Sequence, residues 1–283
     1  MKIALIGTGM MGERMGGRLL DAGHELAVYN RTRTRTAALE ARGAAVADTP
    51  RAAAEGAEYL VTMLADAAAV RATAAGEKGF LAASGERLWV DMSTVSPAES
   101  RELAGEARRH QVRVLDAPVS GSLGAAAKGM LVILVGGSAE DVAAAQPLFD
   151  VLGRVALHMG PSGAGSATKL AVNAFLLATM VAGAEAVKLG EAEGVQRAKL
   201  LDALRRTEIL PAWVLGKLDS VGGEEVRTAF SLALADKDMG LVGQTASAMD
   251  LELPLATTVA GIYARAVAAG LGERDFSAVD AAG

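Results

Sequence analysis

Lys2-Ile3-Ala4-Leu5-Ile6-Gly7-Thr8-Gly9-Met10-Met11-Gly12 begins the chain with a short apolar run that leads directly into GxGxxG. Residues 2–6 read as a buried strand, and residues 10–22 carry a helical pattern. Glycine permits the tight turn between them. It also lets the backbone approach a pyrophosphate, which the unpaired N–H groups of the following helix stabilise. GxGxxG alone is weak evidence. Here the strand before it, the helix after it and its place in the first βα unit agree on a dinucleotide-binding turn, with Gly7, Gly9, Met10, Met11 and Gly12 at the cofactor.

Working outward, further strands are predicted at 25–29, 59–63, 88–91, 112–115 and 131–135. Between them, helical patterns occupy 35–41, 49–54, 67–75, 96–110 and 139–151. Such alternation implies a parallel, doubly wound sheet. After Gly160-Pro161-Ser162-Gly163 no strand is expected, and helical patterns cover 166–193, 196–206, 212–218, 230–249 and 254–269. The chain therefore reads as an α/β Rossmann-type N-terminal domain, residues 1–162, and an all-α C-terminal domain, residues 163–283, joined by a long helix. Gly163-Ala164-Gly165 reads as a hinge. The long helix is apolar around most of its circumference, which implies burial on several sides, a subunit interface included.

Composition narrows the function classes. Hydrophobic residues make up 51% of the 283 and aromatics only 4%, so the core is built from Ala, Val, Leu and Met. A net charge of -5 without a basic block argues against nucleic acid as a partner. The absence of cysteine excludes disulfides, thiolate nucleophiles and Cys-ligated metals, and fits a reducing compartment. No clustered carboxylates accompany His24, His110 or His158, so no metal is expected. The first apolar run has no signal-peptide pattern. The most apolar later stretch, 11 residues between Asn173 and Glu185, is shorter than the ~20 that span a bilayer. These features point to a soluble, cytoplasmic protein with no membrane partner.

Five further segments carry chemistry. Beyond the second strand stand Asn30-Arg31-Thr32-Arg33-Thr34-Arg35, where an NAD site usually has Asp or Glu for the ribose hydroxyls. Three arginines and two hydroxyls without a carboxylate suit the 2′-phosphate of NADP, with Arg31, Thr32 and Arg35 the best candidates beside Asn30. Met63 and Leu64, at the end of the third strand, are placed with the cofactor. Thr94 follows the fourth strand and either lines the nicotinamide pocket or shares N-cap duty with Ser93 and Ser96. Asp116-Ala117-Pro118-Val119-Ser120-Gly121-Ser122 leaves a strand for a Gly/Ser loop whose amides and hydroxyls suit a substrate carboxylate. Finally, Lys169 and Asn173 stand four residues apart on one face of the long helix. Apolar neighbours Leu170, Val172, Phe175, Leu176 and Leu177 favour the neutral amine that a proton-transferring lysine needs, although a lysine can also snorkel its charge outward.

Together these motifs make the chain resemble the β-hydroxyacid dehydrogenase family over nearly its whole length. The resemblance rests on Gly7–Gly12, Asn30-Arg31-Thr32, the loop from Asp116 to Ser122, Gly163-x-Gly165-x-x-x-Lys169-x-x-x-Asn173, Lys237-Asp238-Met239 and Asp275-Phe276-Ser277-Ala278. It implies a 6-phosphogluconate dehydrogenase-like fold and hydride transfer between NADP(H), preferred over NAD(H), and a small carboxylate-bearing aldehyde or hydroxyacid. Lys169 matches the family's catalytic lysine and Asn173 its substrate-orienting asparagine. Ser120, Gly121 and Ser122 match the substrate anchor, Thr94 the residue beside the nicotinamide, and Lys237 a lysine near the cofactor. Phe230 and Asp238 match pocket positions of glyoxylate and succinic semialdehyde reductases. Ser122, where many 3-hydroxyisobutyrate dehydrogenases have a second glycine, resembles those NADPH-using reductases, but Leu123-Gly124 replaces the lysines often found after their loop. Imine reductases share the architecture and generally lack the lysine at position 169. A non-catalytic, NADP-sensing relative is the other alternative. A homodimer or homotetramer through the helical domain is also implied.

Overall fold

The computed structural model describes residues 1–220 and 228–282. They fall into two compact units, Met1–Lys169 and Leu170–Gly283.

The first unit begins with β1 (Lys2–Ile6), α1 (Met10–Asp21) and β2 (Glu25–Tyr29). A 3-10 turn (Arg33–Thr36) leads into α2 (Ala37–Glu40), followed by β3 (Ala45–Val46), α3 (Pro50–Ala54) and β4 (Tyr59–Thr62). Next come α4 (Ala67–Ala74), β5 (Leu88–Asp91), α5 (Pro97–Arg109) and β6 (Arg113–Asp116). The unit is completed by β7 (Val119–Ser120), α6 (Leu123–Ala127), β8 (Leu131–Gly136), α7 (Ala139–Leu152), β9 (Gly153–Gly160) and the start of α8 (Ala164–Ala192). The strands pair in the order β3-β2-β1-β4-β5-β6-β8-β7, with β9 on β8. The first six are parallel in the doubly wound order, so the switch point lies between the ends of β1 and β4. Alternation along β1 feeds two helix-covered faces. Ile3 and Leu5 pack with Met15, Leu19, Leu148 and Phe149, while Ala4 and Ile6 pack with Phe80, Trp89 and Leu103.

Three strands and one helix were not legible in the sequence: β3, β7, β9 and α6. β3 and β7 are two residues each, too short to alternate. In β9 Val155, Leu157 and Met159 alternate with Arg154, Ala156 and His158, but this apolar set is exposed rather than turned to a core, and bulges interrupt the pairing with β8. The region expected as one helix at 35–41 is a 3-10 turn followed by the short α2.

The second unit continues α8 and adds α9 (Arg197–Arg206), α10 (Ala212–Ser220), α11 (Leu232–Ser247) and α12 (Pro254–Ala266). The helix expected to 269 ends at Ala266 and passes into a π turn whose Gly270 has φ +83°. Among the described residues of this unit the nearest approach to strand pairing is one bridge, Ser231 to Asp275. Leu177, Met180, Val181, Ala184 and Val187 line one face of α8 and pack against Val214, Leu218, Met239, Val259 and Tyr263. Burial is thus confined to a stripe rather than spread around the helix: Phe175 is 71% and Leu189 70% exposed. By length and composition both α8 and residues 254–271 are apolar enough to cross a membrane, more than the 11-residue stretch implied. α8 instead forms the middle of this core and buries Asn173 against a polar partner.

The boundary between units also differs from a hinge at Gly163–Gly165. It lies between Lys169 and Leu170, inside α8. Gly165 explains why. A Cβ there would stand 2.3 Å from the Leu134 carbonyl oxygen and 2.7 Å from that of Asp116, so the first turn of α8 is packed onto the sheet. Gly165→Ala is expected to destabilise by about 1–3 kcal/mol through overpacking, read as a lowered urea midpoint with unchanged m-value.

Candidate active site

The glycine turn sits at the switch point. Gly7 adopts φ +101°, and a Cβ on it would meet the Met63 carbonyl oxygen at 2.3 Å. A Cβ on Gly12 would stand 2.0 Å from the Gly7 carbonyl oxygen, so α1 closes down on the loop it leaves. Gly9 is different: no atom lies within 4 Å of where its Cβ would be. It is also the N-cap of α1 and offers no side chain to the first-turn amides. In contrast, α3, α4, α5, α6 and α7 are capped by the side chains of Thr49, Asp66, Ser96, Ser122 and Ser138. Open space beside uncapped amides at a helix N-terminus fits a dinucleotide pyrophosphate.

The neighbouring loops are tied to this turn. Asn30 Oδ1 accepts the Thr8 N–H at 3.1 Å and its Nδ2 donates to the Thr32 carbonyl at 2.9 Å, so its side chain braces the loop. Thr8 Oγ1 donates to the Arg35 carbonyl at 2.9 Å. Arg31, Arg33 and Arg35 are exposed. Arg33 pairs with Asp48 at 2.8 Å, and among the described residues Arg31 and Arg35 have no ion-pair partner. Ser96 caps α5 in a capping box with Glu99, which leaves Thr94, half-buried, out of that role.

Beneath Leu64 and Thr94 runs a buried chain of hydrogen bonds. Trp89 Nε1 donates to Thr62 Oγ1, which donates to Asp91 Oδ1, and that oxygen also accepts the Ser93 N–H. Ser93 Oγ in turn accepts the Leu64 N–H at 3.0 Å. Asp91 thereby joins the loops after β4 and β5.

In the loop after β6, Gly121 adopts φ +145° beside Leu131, a conformation that favours glycine. Ser120 ends β7, and Ser122 Oγ accepts the Ala125 N–H to cap α6. Asp116, where the loop begins, accepts from Gly163 and Ser166 at 2.8 and 2.9 Å. Burial pushes its carboxyl above the usual range against the pull of those amides.

On α8, Lys169 is half-buried and Asn173 fully buried. Leu170 and Leu177 are also buried, but Phe175, expected to cover the lysine, is exposed. Within the second unit Asn173 Nδ2 donates to Asp238 Oδ2 at 2.6 Å, and Lys237 Nζ lies 3.0 Å from Oδ1. One of the two amide donors of Asn173 is thus spent on fixing its rotation. The Phe230 ring packs tilted against Phe276 with centroids 5.5 Å apart, and its carbonyl accepts the Phe276 N–H. Buried Asp275 pairs with Lys217 at 2.8 Å and accepts from Ser277, which assigns the closing motif to the scaffold under Phe230. Burial would raise the Asp275 carboxyl, but these bonds hold it below its ordinary range.

Two family models cover the chain. Residues 2–160 match the NAD binding domain of 6-phosphogluconate dehydrogenase, and residues 163–281 match the NAD-binding domain of NADP-dependent 3-hydroxyisobutyrate dehydrogenase. The chain is 34% identical to a Pseudomonas aeruginosa NAD-dependent L-serine dehydrogenase, over 98% of this chain and 96% of the relative. It is 33% identical to a 3-hydroxyisobutyrate dehydrogenase of the same organism, over 92% and 90%. The chain belongs to the β-hydroxyacid dehydrogenase family. The Mycobacterium tuberculosis 3-hydroxyisobutyrate dehydrogenase structure with L-serine superposes with a TM-score of 0.88 at 31% identity, covering 99% of this chain and 98% of that one. This β-hydroxyacid dehydrogenase is an NAD(P)-dependent oxidoreductase acting on a hydroxyl or carbonyl group.

The residues this β-hydroxyacid dehydrogenase uses to hold its loops were the ones motif reading missed. Asp91, Thr62 and Trp89 sit in strands whose apolar run concealed them, and their signal lies in register across strands, not in spacing along the chain. Burial pushes the Asp91 carboxyl up to about 6. The fold therefore favours its protonated form. The stability this confers is complete below pH 3.8 and is lost as pH rises through about 6. Relative to Asp91→Asn, the wild type is expected to lose stability across that window in urea titrations; parallel pH profiles would refute the assignment.

Proposed function

We propose that the enzyme is an NADP(H)-dependent aldehyde-acid reductase or hydroxyacid dehydrogenase for a small carboxylate-bearing substrate of the glyoxylate, succinic semialdehyde or 3-hydroxyisobutyrate type. The observation that carries this is the pairing of Lys169 with buried Asn173, one helical turn apart, in a chain whose relatives act on small hydroxyacids. When bound, the nicotinamide supplies or takes up the hydride. Lys169 donates the proton to the carbonyl oxygen during reduction and accepts it during oxidation, a contribution of typically ~10²–10⁴-fold. Asn173, its amide rotation set by Asp238, orients the substrate with its remaining donor. Ser122 Oγ accepts from Ala125, so its own proton is directed at the substrate carboxylate, with Ser120 and Gly121 completing the anchor.

Preference for NADP(H) is supported by the exposed Arg31 and Arg35, the adjacent Thr32, and the absence of a carboxylate at Asn30. Lys237, paired with Asp238, is assigned to the cofactor, and Phe230 to the substrate pocket. A homodimer or homotetramer through the helical domain is favoured by exposed Phe175, Leu189 and Leu255. A cytoplasmic location fits the cysteine-free composition.

The deciding assay follows NADPH and NADH oxidation with glyoxylate, succinic semialdehyde, methylmalonate semialdehyde, tartronate semialdehyde and a cyclic imine. Turnover of an acid aldehyde is expected, and turnover of the imine alone would reject the assignment. NADPH is expected to be favoured, with Arg31→Ala/Arg35→Ala erasing the preference; equal use of NADH by the wild type would reject the arginine argument. Lys169→Ala is expected to lower kcat by ~10²–10⁴-fold while leaving NADPH affinity, read by fluorescence, unchanged.

A further inference from the structure

We propose that Asp116 is a positioning residue for Lys169, capping the first turn of α8 from the end of a strand. This rests on Lys169 being the proton donor. An α-helix leaves its first N–H groups without intrahelical partners, and a nearby Ser, Thr, Asp or Asn in sequence usually satisfies one of them. In α8 the acceptor comes from β6 instead. The N–H groups of Gly163, just before the helix, and Ser166, its third residue, each donate to a different oxygen of Asp116.

The surroundings are shaped around this contact. A Cβ on Gly136 of β8 would stand 2.5 Å from Asp116 Oδ1, and one on Gly165 would stand 2.9 Å from Oδ2. Glycine at both positions therefore lets strand, carboxylate and helix end meet. Behind Asp116 a cavity of about 10 Å³, shared with Asp91, Ser100 and Ser162, has room for no more than one water. At most a single water can therefore stand behind the carboxylate. Lys169 follows Ser166 by three residues in the same helix, so the placement of its backbone is inherited from this turn. A displacement of ~1 Å in a reacting group can cost ~10²-fold in rate.

Asp116→Asn keeps the shape but turns an NH₂ toward one of the two amide donors. Its kcat is expected to fall about 10- to 100-fold with the KM for NADPH unchanged. The deciding measurement is a double-mutant cycle with Lys169→Ala, assayed with methylammonium supplied in place of the missing amine. If Asp116 acts through Lys169, Asp116→Asn changes the amine-rescued rate of Lys169→Ala by less than about two-fold. A general loss of folded enzyme would lower both backgrounds equally, and that result overturns the proposal. So does a wild-type kcat for Asp116→Asn alone. Wild-type turnover by Lys169→Ala would instead reject the proton-donor reading, and the positioning role with it. Circular dichroism and NADPH binding establish that each variant is folded. Should Asp116→Asn not fold, Gly136→Ala, whose Cβ crowds both carboxylate oxygens and the Gly165 backbone nitrogen of the same turn, goes through the same cycle with the same expected outcomes.

Discussion

Two helix N-termini meet the carboxyl end of one sheet, and the first unit is organised around how each set of unpaired amides is treated. At α1 they are left open, beside a glycine whose missing side chain leaves space. At α8 the Gly163 and Ser166 amides are answered by the buried carboxylate of Asp116. Helices α3 to α7 use local Ser, Thr or Asp caps, while α2 continues from a 3-10 turn without a side-chain cap. Unpaired amides are costly unless water, a side chain or a ligand takes them, so an uncapped start among capped neighbours marks where a ligand belongs.

The loops that face such a ligand are held from below. Trp89, Thr62, Asp91 and Ser93 connect the ends of β4 and β5 through buried hydrogen bonds, and Asn30 connects the glycine turn to the end of β2. Asp91 and Asp116 are register partners on β5 and β6, which places two buried acids side by side at the ends of parallel strands. Their burial raises both carboxyls, a consequence of removing charge from water. In the helical unit Asp238 and Asp275 are also buried, but each is answered by a lysine. Buried charges of this kind hold side chains in one arrangement because the alternative leaves a charge unpaired in apolar surroundings.

The cofactor turn, the doubly wound order and the helical second unit were legible because they depend on local patterns: glycine spacing, alternation and helical periodicity. That Lys169 and Asn173 share one helix, four residues apart, was legible for the same reason. Their surroundings were less so. Phe175, an apolar neighbour of Lys169 in sequence, is exposed: six residues on, it points about 120° away around the helix. In β9 the apolar Val155, Leu157 and Met159 do alternate along the chain, but this apolar set stays exposed in the fold.

By itself the sequence determined the family and the division into an alternating strand–helix unit and a helical unit, because both are written in residue types at short spacing. Only the tertiary structure decided that Asp116, 47 residues before Gly163, caps the helix of Lys169. It also decided that Asn173 is fixed by Asp238, 65 residues away. These pairings are set by strand register and helix packing, which bring distant residues within hydrogen-bond reach and leave no periodic trace along the chain.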